Sequence, residues 1–170
     1  MSGVPPLRPS GVFSVGESVL IDAPREKVWQ ILMDLPSYGK WNPFTRKMTI
    51  VSESGSPVDD QTLAVGKVFD SAVNIPPEMA PPRMNGLSRV TTLDHENFRA
   101  GWETPAGLST WFFFYQRWTE LTVEDAKTKW ETFEVYSGPM AYVVYWLMYK
   151  NMLVSLKAMA EALKSRAEAD

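Results

Sequence analysis

Apolar and polar residues alternate from Phe13 through Val15, Val19 and Ile21, which predicts a strand with one buried face. The period then changes. Val28, Ile31, Leu32 and Leu35 recur at steps of three and four, the apolar stripe of a helix. Asp22-Ala23 stops the strand, and Pro24 is expected at the first helical position, where its missing N–H has no partner to lose. Glu26 suits the positive end of that helix. Further strands are expected at 45–53, 66–75, 84–93, 98–104, 109–121 and 128–137, divided by turn-rich pieces such as 53–57, 94–97 and 105–107. Together these make seven. The proline-rich segment Pro76–Pro82 cannot sit in a ladder and reads as a semi-rigid loop at one end of the sheet, a possible cavity lid.

Gly138-Pro139 opens a last helix expected to reach about Glu168, roughly 45 Å long. Tyr142, Trp146, Tyr149, Leu153, Leu156, Ala160 and Leu163 fall on one stripe expected to face the sheet. Its first half is aromatic with polar tips, and its second half is aliphatic. The run from Met140 to Tyr149 is apolar nearly all round, but Lys150 and Asn151 end it well short of the ~20 residues of a membrane span. Burial on more than one side, or contact with a membrane or a partner, would each account for it.

The order of elements predicts an α+β fold, and the motifs specify it further. Ile21, Ala23-Pro24, Val28-Trp29, Asp34 and Trp41-Asn42-Pro43 form a run that resembles the opening of the START-like or Bet v 1-like superfamily, the polyketide cyclase/dehydrase and lipid-transport group. The resemblance continues at Val65-Gly66, at Ile75-Pro76-Pro77, and from Thr128 through Gly138 into a helix containing Leu156-Lys157 and Glu161. It implies a helix-grip: a curved, seven-stranded antiparallel sheet wrapped around one long C-terminal helix, with short helices after the first strand and an internal cavity. A single domain over 12–168 follows a loose N-terminal arm at 1–11. No one activity is implied, because function resides in the site rather than the fold.

Composition narrows the partners. The chain has 170 residues, 45% hydrophobic and 22% charged, with a net charge of −3, so nothing in the overall charge favours nucleic acid. The absence of cysteine removes disulfides and thiolate chemistry and agrees with a cytoplasmic location. The segment Met1–Gly11 carries no apolar run and does not read as a signal peptide.

Candidate chemistry comes from the last hairpin. Leu121 and Thr128 flank a six-residue connection, and pairing outward from them sets Thr119 opposite Trp130, Arg117 opposite Thr132, Tyr115 opposite Glu134 and Phe113 opposite Tyr136. The other face carries Glu120 with Lys129 and Trp118 with Glu131, which suits water. The concave wall is therefore expected to hold Trp111, Phe113, Tyr115, Arg117, Trp130, Thr132, Glu134 and Tyr136. Hairpin logic adds Phe98, Ala100 and Trp102 from the preceding strand. Tyr142, Trp146 and Tyr149 complete the ligand-binding set from the helix. Charges on an aromatic wall must pair or solvate a ligand. Glu134 is the candidate general acid or base, with Arg117 or Tyr115 stabilising a developing oxyanion. A structural salt bridge is the other reading of the same residues.

The only histidine, His95, falls in a turn between Asp94 and Glu96 and is expected to be solvated, which leaves little for a catalytic relay or a histidine-rich metal site. Asp59-Asp60 lacks calcium-ligand spacing and reads as a solvated loop. Glycine-rich phosphate motifs are missing, so neither metal nor nucleotide cofactor is expected. Two function classes follow. One is a cofactor-independent cyclase, dehydratase or isomerase acting on a polyketide, terpenoid or similar hydrophobic substrate. The other is a carrier of a lipid or quinone. A homodimer is compatible with either, and a protein-interaction module using the aromatic start of the last helix is a third possibility.

Overall fold

The computed structural model describes residues 10–52, 54–79, 84–107 and 110–169. Strand β1 (Phe13–Ile21) leads into helix α1 (Arg25–Met33), a 3₁₀ turn (Leu35–Ser37) and the short helix α2 (Tyr38–Trp41). Strands β2 (Thr45–Val51), β3 (Val68–Val73), β4 (Met84–Asp94), β5 (Arg99–Glu103), β6 (Phe114–Glu124) and β7 (Lys127–Ser137) follow, and helix α3 (Pro139–Glu168) ends the fold. The seven strands pair antiparallel in the order β1-β7-β6-β5-β4-β3-β2. This is the α+β helix-grip, with its short helices after β1. Of the expected N-terminal arm, residues 1–9 lie outside the described residues, as do 80–82 of the proline-rich loop and Leu108 and Ser109 of the β5–β6 connection.

Local chemistry explains where the elements begin. Pro24 stands one residue before α1 rather than inside it: its backbone is extended (φ −59°, ψ 143°), and its carbonyl accepts from the Val28 N–H at 3.2 Å. A cap needs a free carbonyl and no N–H, so proline fits there too. The β6–β7 hairpin is tighter than expected. It turns on Asp125 and Ala126, both in the left-handed region at φ 50° and 61°, and the strands pair Leu121 with Trp130, Thr119 with Thr132, Arg117 with Glu134 and Tyr115 with Tyr136. A two-residue turn of this hand matches the twist of the strands. The register therefore slips by two residues from the expected one, and a slip of two leaves every side chain on its expected face.

The stripe of α3 is corrected along half its length. Leu156, Ala160 and Leu163 are buried as expected, but the first half turns Ala141, Val144, Met148 and Met152 inward. Tyr142 and Trp146 are 66% and 83% exposed. Apolar residues surround this part of the helix, so periodicity offers two stripes, and the aliphatic one without rings permits the closer approach. Polar ties fix the helix to the sheet: the Ser155 hydroxyl donates to the Asn74 carbonyl at 3.1 Å, Lys164 donates to the Leu20 carbonyl at 2.7 Å, and the Asp22 N–H donates to Glu168 at 2.8 Å. No helix among the described residues is long and apolar enough to cross a membrane.

Candidate functional site

Between the concave face of the sheet, α2 and α3 lies a cavity of about 170 Å³. Its volume is close to the roughly 150 Å³ of an apolar cavity that admits benzene, and below the ~300 Å³ at which drug-sized pockets begin. The Trp41-Asn42-Pro43-Phe44 turn builds one side. The Asn42 side-chain oxygen accepts from the N–H groups of Phe44 and Thr45, each at 2.9 Å, and this local turn delivers both residues to the cavity wall. Tyr38 lines it as well, its hydroxyl fixed on the Leu32 carbonyl at 2.9 Å.

The opposite wall carries the charge. Arg117 and Glu134 face each other across β6 and β7, with Nη1 3.1 Å from Oε1, and only 6% and 3% of these residues is exposed. Arg117 Nε donates to Thr132 Oγ1 at 3.2 Å, and Nη2 donates to the thioether sulfur of Met159 at 3.3 Å. The guanidinium lies 5.6 Å from the Phe44 ring centre and 5.7 Å from that of Trp102. Tyr136 donates a short hydrogen bond to Glu134 Oε2, and the Tyr115 hydroxyl shares one with Ser88. A charge taken out of water unpaired costs several kcal/mol, so each oxygen of Glu134 having a donor is what lets it remain inside. Burial raises Tyr38 and Tyr115 to about 12, the Glu134 charge adding to the effect at Tyr115. Tyr136 is raised well above 10 by burial first and by Glu134 second. All three phenols are therefore proton donors, not bases, near neutral pH.

Of the residues expected to form the site, Trp102, Phe113, Tyr115, Arg117, Glu134 and Tyr136 line the cavity. Others do not. Thr132 lies behind the wall, accepting from Arg117 and donating to the Trp118 carbonyl. Trp130 is fully buried and donates to Thr119 at 2.7 Å, so it belongs to the core. Trp111 precedes β6 and is 75% exposed; with Tyr142 and Trp146 it lies on the outside, because neither the helix stripe nor the strand start falls where periodicity puts it. Tyr149 packs edge-on against Phe13 and lines a separate groove along β1. Phe98 leaves the sheet at φ 55° and packs on Trp29.

Sequence reasoning missed Tyr38, Phe44, Ser88 and Met159. Ser88 alternates with Val90 on β4, a signal that was available; Met159 lies three residues beyond Leu156, but nothing local marks it as an arginine partner. His95 lies in an exposed turn, as expected, and its Nδ1 also accepts from the Trp29 indole at 3.0 Å, which ties the turn to α1. Asp60 meets Lys67 at 2.6 Å on the surface. Among the described residues no group of three or more histidine or carboxylate side chains is placed to hold a metal ion.

The profile of the family described as "Polyketide cyclase / dehydrase and lipid transport" matches residues 12–168. The chain belongs to that family. A relative, the "Oxopyrrolidines biosynthesis cluster protein O" of Penicillium oxalicum, is 28% identical over 89% of this chain and 84% of its own length. A hypothetical protein of Helicobacter pylori superposes with a TM-score of 0.74 at 15% identity, covering 98% of this chain and 99% of that one. A START superfamily protein of Mycobacterium smegmatis gives 0.60 at 18% identity, covering 91% and 97%. These likenesses are of fold, the START-like helix-grip.

Proposed function

We propose that the protein binds a small hydrophobic molecule in the cavity and catalyses its cofactor-independent cyclisation, dehydration or isomerisation. The observation that carries this reading is a buried ion pair with three phenols on the walls of a mostly apolar pocket. Glu134 serves as the general base or acid, and Arg117 holds the oxygen on which charge develops. Tyr136, bound to Glu134, positions the carboxylate, and Tyr115 is placed on the same wall to stabilise a developing oxyanion by hydrogen bonding. A family that includes polyketide cyclases, and a relative whose name places it in a biosynthesis cluster, support the reaction class. Substrates of the polyketide or terpenoid kind suit the apolar walls.

The carrier reading has its own support. Both charges already have partners within the protein, so the network needs no ligand to be stable. The two readings separate when wild type and Glu134→Gln are purified from the same host and any bound compound is extracted and identified by liquid chromatography and mass spectrometry. Catalysis predicts that the variant retains an unconverted precursor while the wild type retains product. Recovery of one identical lipid, quinone or other compound from both proteins would leave only transport.

Self-association and a cytoplasmic location belong to the same reading. Trp111, Tyr142, Tyr145 and Trp146 are exposed at or near the start of α3. With ~150–250 Å² per aromatic side chain, their exposed fractions amount to roughly 600 Å², against about 800 Å² per partner in a standard interface. A second copy presenting the same face is the occupant that this area and its lack of charge favour.

A further inference from the structure

Arg117 is held unequally, and the weakest hold faces the cavity. Nη1 meets a carboxylate and Nε a hydroxyl, but the partner of Nη2 is a thioether sulfur, which is a weak acceptor. Met159 lines the cavity beside Arg117, so a ligand oxygen entering there can take over this N–H. The exchange favours the ligand, because a carbonyl or enolate oxygen accepts from a charged donor far better than sulfur does. Methionine is also unbranched and flexible, so it can yield the position with little strain.

We infer that Arg117 Nη2 and Met159 form an oxygen subsite, in which a compact, flat carbonyl compound displaces the methionine sulfur and places its oxygen on Nη2. This rests on the reading of the cavity as a ligand site and narrows its occupant. The rings of Phe44 and Trp102 flank the guanidinium, so a flat body extending from the oxygen meets aromatic faces. A volume of about 170 Å³ holds one ring and a few further atoms.

The test uses two probes of the same shape, acetophenone and α-methylstyrene, which differ in a C=O for a C=CH₂. Their affinities are measured by NMR titration of the methionine methyl groups in wild type, Met159→Leu and Met159→Gln. Leucine leaves Nη2 without its acceptor, so the ketone-to-alkene affinity ratio should rise roughly tenfold over wild type. Glutamine supplies a strong competing acceptor, so the ratio should fall. A role for Met159 in packing alone would change both probes equally and leave the ratio constant in all three proteins, which overturns the subsite while the cavity reading survives. Binding of neither probe to any of the three proteins would overturn both.

Discussion

At the residue scale, the cavity depends on protons staying where burial puts them. Tyr38, Tyr115 and Tyr136 all have folded-state values above the ordinary tyrosine value near 10. A group whose proton is held more tightly in the folded state contributes stability that is intact below the unfolded value and is lost as pH rises through the folded one. The stability these phenols contribute should therefore begin to fall above about pH 10 and go on falling through about pH 12. Phenolate absorbance followed alongside circular dichroism checks this: three of the six tyrosines should ionise only as the fold is lost. Ionisation of all six before any loss of structure would show these phenols to be solvated.

At the element scale, the β6–β7 hairpin sets which side chains meet. Its two-residue turn aligns Arg117 with Glu134, whereas the longer connection suggested by the sequence would have put Tyr115 opposite Glu134. The cost is a pair of non-glycine residues at positive φ. Alanine in that region loses roughly 1–2 kcal/mol, and glycine there recovers it less about 0.5–1 kcal/mol of extra chain entropy. Ala126→Gly should thus stabilise the protein by about 0.5–1 kcal/mol in urea unfolding, with probe affinity at the distant cavity unchanged. A loss of stability would place the turn in another conformation. The exact end of the hairpin was hidden from sequence reading because Glu-Asp-Ala-Lys lacks the Asn-Gly or Asp-Gly pair that usually marks such turns.

At the scale of the whole molecule, α3 has two faces with different tasks. Its inner face brings Met159 to the arginine and closes the cavity, while the outer face of its first half leaves Tyr142, Tyr145 and Trp146 in water. Trp146→Glu should convert a dimer to monomer in size-exclusion chromatography with light scattering, without altering cavity binding; a wild type that is monomeric at high concentration refutes self-association through this face. Period-two and period-3.6 patterns, together with the Ile21–Phe44 motif, determined by themselves the order of elements, the α+β helix-grip and the inward face of the last hairpin. Those signals are local, and a two-residue error in register cannot reverse them. Only the tertiary structure decided which of two apolar stripes α3 buries, that Trp111 and Trp146 lie outside, and that Met159 and Ser88 complete the polar cluster. Each of these depends on contacts between residues far apart in the chain, and on how closely small or bulky side chains let two elements approach.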